Sequence, residues 1–274
     1  MKQLLVALDG SPHSASAAQL AFALAAPFEA RVTGIHVLDL AQMDASFIAD
    51  LSGSVGFQPF LNLTAELREA LKGIGEAVVA DFEEKRRAAG IAGGARIEEG
   101  LVVARLLEAA ESADLLLLGT RGVGGKKSAS LGGHADHLLR RIRRPAVVCP
   151  RTYTRPSRIL AAFDDSEKAS RALALGAAIA AGLGVSLEVL TVSPGAHEAD
   201  RRRQDAERIV SSTGASHRFL TASGHPEESI LSAIGPADLV AMGAHGHGRI
   251  IEMVLGSTTE RILRSSPAPV LCAP

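Results

Sequence analysis

Two glycine-bearing segments of the chain share one spacing. In the C-terminal half it reads Gly243-Ala244-His245-Gly246, nine residues, then Gly256-Ser257-Thr258-Thr259; in the N-terminal half, Gly119-Thr120-Arg121-Gly122, nine residues, then Gly132-Gly133-His134. An apolar run leads into each first glycine (Leu115 to Leu118, Leu239 to Met242), and a helix-like segment follows each last one. A glycine loop between a strand and a helix N-terminus lets backbone amides and a positive dipole end approach an anion without Cβ obstruction. Ser257 and Thr258 add hydroxyl donors there. A second local reading is equally available: Ser257 with Glu260 three residues on is a capping box, which needs no ligand. In the N-terminal copy Gly133 replaces Ser257 and Ala135 replaces Thr259. A lost hydrogen bond to a charged group costs about 1.5–3 kcal/mol, roughly a tenfold to hundredfold in affinity. Arg121, Lys126 and Lys127 offset that loss with charge, against Arg249 alone in the other copy.

Neither segment is a Walker motif or the dinucleotide GxGxxG. His245 and His247 invite a metal or HxGH-type nucleotidyl-transfer reading, but no third ligand completes a metal motif, and Arg121 and Val123 stand at the matching positions. We read them as loop histidines. No nucleophile, base and orienter can be assembled, so binding is expected rather than catalysis, with slow hydrolysis as the most that Asp164 or His245 could support.

The elements around these loops repeat. Leu4 to Asp9 (LLVALD) matches Ile159 to Asp164 (ILAAFD), 155 positions apart; Gly119 matches Gly243 and Pro150 matches Pro274, 124 apart. The second copy is therefore 31 residues shorter between Val37 and Gly100. The polar stretch RTYTRP at Arg151 to Pro156 separates the copies, and we place the domains at 1–152 and 153–274. In the first copy the pattern predicts a strand at Leu4 to Leu8, a helix opened by Ser11 and Pro12 and running to about Phe28, and a strand at Arg31 to Leu38. A helix at about Leu63 to Ala89 follows, weakened by Gly73 and Gly75. Then come a strand at Ala95 to Glu99, a helix at Val102 to Ser112, a strand at Asp114 to Leu118, a helix at His134 to Ile142 and a strand at Ala146 to Cys149. Alternating strands and helices imply an α/β fold: two Rossmann-like domains, each a five-stranded parallel doubly wound sheet. Such sheets bind ligands at the carboxyl ends of their strands, where the order reverses.

Bulk properties narrow the classes. The chain has 274 residues, 47% hydrophobic and 22% charged, with formal net charge −1. That balance gives no reason to expect a nucleic-acid partner, and with no Trp and one Tyr there is little to stack bases on. No stretch approaches the roughly 20 apolar residues of a membrane helix, and the N-terminus lacks a signal-peptide pattern. Cys149 and Cys272 lie in short apolar runs and read as core thiols, which fits a cytoplasmic location. The clusters Arg140, Arg141, Arg143, Arg144 and Arg201, Arg202, Arg203 read as solvated helix faces. Residues Ala41 to Gly75, with Phe47, Phe57 and Phe60, form either a surface excursion or a lid or partner surface.

Gly243, Gly246 and Gly256-Ser257, the strand ending in Asp164-Asp165-Ser166, and the closing Ser266-Pro267-Ala268-Pro269-Val270-Leu271 together resemble the ATP-binding branch of the universal stress protein family. The resemblance covers both halves, as in a tandem member with an adenine nucleotide alpha hydrolase-like fold. It implies that Asp164 faces the adenosine end of ATP, with Ala162, Phe163 and Val192 lining the base pocket. It places Met242, Gly243, His245 and Gly246 along the ribose and phosphates, and Gly256, Ser257, Thr258 and Thr259 around the phosphate tail, with Mg²⁺ or Mn²⁺. Transferred to the first half, the positions are Leu8, Asp9, Val37, Gly119, Arg121, Gly122, Gly132, Gly133, His134 and Ala135, a weaker second site. It further implies a stress-response or regulatory role and an internal pseudo-dimer of the two halves, with a homodimer also open. A nucleotide-free interaction scaffold and a slow ATPase are the alternatives within the same resemblance.

Overall fold

In a computed structural model of the chain, residues 1–39, 58–123, 131–193, 195–244 and 255–274 are described, those of 58–67 by their backbone only. The first half runs β1 (Gln3–Leu8), α1 (Pro12–Phe28), β2 (Arg31–Leu38), α2 (Gln58–Ala88), β3 (Gly93–Glu99), α3 (Val102–Ala110), β4 (Leu115–Gly119), α4 (Gly133–Leu139) and β5 (Ala146–Cys149). The second runs β6 (Arg158–Ala162), α5 (Glu167–Leu183), β7 (Ser186–Val192), α6 (Ala196–Val210), β8 (His217–Ala222), α7 (Pro226–Ala233), β9 (Asp238–Gly243), α8 (Ser257–Ser265) and β10 (Val270–Ala273). Helix α2 begins at Gln58 rather than Leu63, and its glycines do not break it. A Cβ on Gly75 would lie 2.8 Å from the His36 ring, so that glycine lets the helix close on β2. Phe47 and Phe57, and the side chain of Phe60, lie outside the described residues.

Each half is a parallel five-stranded sheet, in the order β3-β2-β1-β4-β5 and β8-β7-β6-β9-β10. Both faces of the inner strands are covered, which is why β1 and β4 are unbroken apolar runs: Leu4, Val6, Leu115, Leu116 and Leu117 are all buried. The halves join where β5 and β10 pair antiparallel, Val148 against Val270, Val147 against Leu271 and Ala146 against Cys272, making one ten-stranded sheet. On one face α1 meets α5, where the Phe28 ring closes over Gly182.

The amino ends of β6 to β9 carry a buried charge cluster. Glu188, 3% exposed, accepts from Arg158 Nη1 at 2.6 Å and Arg218 Nε at 2.7 Å; Arg158 Nε also donates to Asp238 Oδ1 at 2.8 Å and its Nη2 to Ala233 O at 2.8 Å. The first half has Gln3 and Thr33 at the positions of Arg158 and Glu188. Replacing Glu188 by Ala removes the shared acceptor of two arginines, and we expect a loss of about 3 kcal/mol in urea unfolding; a loss below about 1 kcal/mol would mean that the cluster is not a stabilising one. Burial pushes the Cys272 thiol up to about 12 and raises that of Cys149 as well, in line with their reading as core residues. Neither thiol should react with iodoacetamide at pH 8 until the protein is unfolded; labelling of the folded chain at the unfolded rate would contradict their burial.

Candidate functional site

The order of each half-sheet reverses between its first and fourth strands, at β1/β4 and at β6/β9. In the C-terminal half the turn after β6 is built by its own side chains. Asp164 Oδ1 accepts from Ser166 N at 3.2 Å and from Ser166 Oγ at 2.7 Å, and Ser166 caps α5 by accepting from Ala169 N at 3.2 Å. Asp9 and Ser11 repeat this in the N-terminal half: Asp9 Oδ1 accepts from Ser11 N at 2.8 Å, and Ser11 accepts from Ser14 N at 3.1 Å. The serine cap with Pro12 at the first helical position is as the sequence predicts.

The first glycine of each loop has a structural cause. A Cβ on Gly243 would lie 2.9 Å from Ala169 N, and one on Gly119 would lie 2.6 Å from His13 Cβ. The missing side chain admits the first turn of α5 or α1 against the end of β9 or β4. The second glycine of the N-terminal loop meets the site's carboxylate, since a Cβ on Gly122 would lie 2.8 Å from Asp9 Oδ2. Ser11 Oγ donates to Arg121 O at 3.3 Å and Gly132 N to Thr120 O at 2.9 Å, so Asp9, Arg121, Gly122 and Gly132 converge. His13 joins them; its pKa is lowered by burial first, then by the charge of Arg121, with Asp9 opposing. The sequence reading did not single out His13. His245, Gly246 and His247, with Lys126, Lys127 and Arg249, lie outside the described residues.

The start of α8 corrects the capping-box reading. Its N-cap is Gly256, in extended conformation with φ −61° and ψ 147°, and among the described residues no side chain caps the helix. Ser257 is one residue inside, exposed, while Glu260 pairs with Arg264. In the N-terminal half α4 starts the same way, with Gly132 as N-cap and Gly133 inside. Thr259 is buried and donates to Gly243 O at 3.0 Å, tying α8 to the end of β9 instead of facing the loop. Ala135, at the matching position, lacks this internal tie in the first half. Thr258 Oγ1 donates to Glu227 Oε2 at 3.4 Å, on the α7 side.

The remaining residues sit at strand ends. Phe163 and Met242 are buried in cores on opposite faces of the sheet. Ala162 and Val37 are half-buried and pack on the same core as Met242. Val192, also half-buried, has its carbonyl taken by Arg202 Nη1 at 2.8 Å. For Arg202 alone this overturns the reading of a solvated face, since its side chain is 13% exposed; Arg201 and Arg203 are exposed, Arg203 lying over the Phe219 ring at 5.4 Å. Arg140, by contrast, pairs with Asp136 at the end of α4, as a cation near a helix C-terminus should.

These caps differ in a measurable way. Ser166→Ala removes a true N-cap and should cost about 1 kcal/mol in urea unfolding, whereas Ser257→Ala should change stability by less than about 0.5 kcal/mol; equal losses would restore Ser257 as a cap.

A model of the universal stress protein family matches residues 1–150 and again 156–274. A universal stress protein of Synechocystis is 27% identical over 284 residues, covering 99% of this chain and 99% of its own. One from Thermus aquaticus is 35% identical over 130 residues, covering 41% of this chain and 95% of its own. Among solved structures, a universal stress protein from Archaeoglobus fulgidus superposes with a TM-score of 0.74 at 22% identity, over 99% of this chain and 97% of that one. With nearly the whole length matched in two successive copies, the chain belongs to the universal stress protein family, in tandem form.

Proposed function

We propose that the protein is an ATP-binding stress-response or regulatory protein that holds its nucleotide mainly in the C-terminal half, residues 153–274. The observation that carries this reading is the start of α8. At the β6/β9 reversal, α5 is closed by its own Ser166, while α8 opens from Gly256 with no side-chain cap among the described residues and with Ser257 exposed at its first turn. Uncapped amides at the positive end of a helix suit a phosphate group. Asp164 ends the neighbouring strand's turn and would meet the ribose, with Ala162 and the backbone of Phe163 and Val192 toward the base. Gly243, His245 and Gly246 would follow the phosphates, together with Gly256, Ser257 and the backbone of Met242; Thr258 borders them and Thr259 braces the helix from inside. A Mg²⁺ ion would arrive on the phosphate oxygens and neutralise part of their charge.

The N-terminal half, residues 1–152, would hold a second nucleotide through Asp9, Val37, Gly119, Arg121, Gly122, Gly132 and Gly133, without a hydroxyl at the serine position, and we read it as the weaker site. We read the β5–β10 join as an internal pseudo-dimer. No catalytic group is assigned, and the protein is proposed to act by binding, in the cytoplasm. Among the described residues no helix is long and apolar enough to cross a membrane.

Native mass spectrometry of the full chain with MgATP should show one nucleotide retained at low excess. Ser257→Ala should weaken binding roughly tenfold, and Gly133→Ser should strengthen occupancy of a second nucleotide. No retained nucleotide at large excess would discard the ATP reading in favour of a scaffold.

A further inference from the structure

The two copies differ at a coupled pair beside the cleft. By the offset of 155 Asp165 stands where the first copy has Gly10; the offset of 124, which also relates His217 at the start of β8 to Gly93 at the start of β3, sets Arg202 at the place of Val78. Both pairs are in contact. Gly10 has φ +77°, and a Cβ there would lie 3.0 Å from Val78 Cγ2; Asp165 keeps the left-handed backbone at φ +61°, and its Oδ1 is 3.7 Å from Arg202 Nε. An apolar contact in one half has become a charged one in the other. A residue with a Cβ is strained in the left-handed region, and here its carboxylate is gripped by Arg202 and, at 2.7 Å, by Arg201.

Arg202 connects three elements. Its Nη1 donates to Val192 O at 2.8 Å and its Nη2 pairs with Glu198 at 2.6 Å. Nε is buried, facing Asp165 without a hydrogen bond. The Val192 carbonyl lies beyond the bond from Phe163 N to Leu190 O that ends the β6–β7 ladder, so the arginine supplies a donor at the strand end. Strand β7 is two strands from β9, roughly 10 Å across the sheet, and so is remote from α8 and the proposed phosphate end.

We propose that Arg202 is a positioning residue for the nucleoside end of the C-terminal cleft. It fixes the end of β7, the turn after β6 and α6 as one wall, independently of the loop that would take the phosphates. This rests on the ATP reading above, and it predicts that the two ends of the ligand can be weakened separately.

The test is calorimetric titration of the full chain with MgATP and with inorganic tripolyphosphate, alongside thermal unfolding. The variants are Arg202→Lys and the double substitution D165G/R202V, which installs the first half's own pair. The double variant should unfold near the wild-type temperature, lose roughly tenfold in ATP affinity and keep its tripolyphosphate affinity. Arg202→Lys keeps the charge but not the forked donors, and should lose part of the same amount; it carries the comparison if the double variant does not fold. Unchanged ATP affinity, or equal loss for both ligands, overturns the proposal alone. Failure of the unaltered chain to bind ATP overturns the parent reading with it.

Discussion

The antiparallel pairing of β5 with β10 is the constraint on which the arrangement of everything else depends. Each half is a parallel sheet with one outer strand, β3 or β8, and one inner edge that would otherwise expose a row of unpaired amides and carbonyls. The two inner edges satisfy each other, and all eight residues of the joining strands are buried. Because each half is parallel internally and the join is antiparallel, the carboxyl ends of the two sets of strands point in opposite directions. The two clefts therefore open at opposite ends of one continuous sheet.

Within each half the cleft follows from close packing. The helix after the first strand is drawn down onto the end of the fourth strand, which only a glycine permits, at Gly119 and Gly243. This contact brings the aspartate turn next to the glycine loop. In the N-terminal half it leaves Asp9 against Gly122 and His13 under the influence of Arg121. A close packing contact of the fold and its candidate site are the same few residues seen from two sides.

Much of this was legible in the sequence because it is written in apolar runs and repeat offsets. The buried strands, the Ser11 cap, the doubled unit and the glycine spacing are all local or periodic signals. What was not legible depends on distant partners. Ser257 and Glu260 have capping-box spacing, but the chain enters α8 from Gly256, whose amide reaches Ala244 O at 3.4 Å, and the helix starts one residue too early for the box to form. The tie from the Thr259 hydroxyl to the Gly243 carbonyl spans 16 positions and no local spacing announces it. Arg202 sits among three arginines on a polar helix, and nothing nearby in sequence announces its contacts with Asp165 and Val192. The repeat does carry a trace of it, since glycine and valine became aspartate and arginine at two positions that touch.

The buried cluster around Glu188 has a consequence for how the two halves feel the solvent. At the same end of the other half-sheet, Asp114 accepts from the backbone amides of Lys2 and Gln3, the latter at 3.0 Å, and no arginine pair is needed. One half is thus closed there by a carboxylate on its own main chain, the other by two arginines, of which Arg218 still reaches water. Dissolved ions screen charges that water can reach and, when strongly hydrated, tighten apolar contacts. Ionic strength consequently loosens the outermost bond of the C-terminal half's cluster, a bond with no counterpart where Asp114 holds the main chain of the N-terminal half.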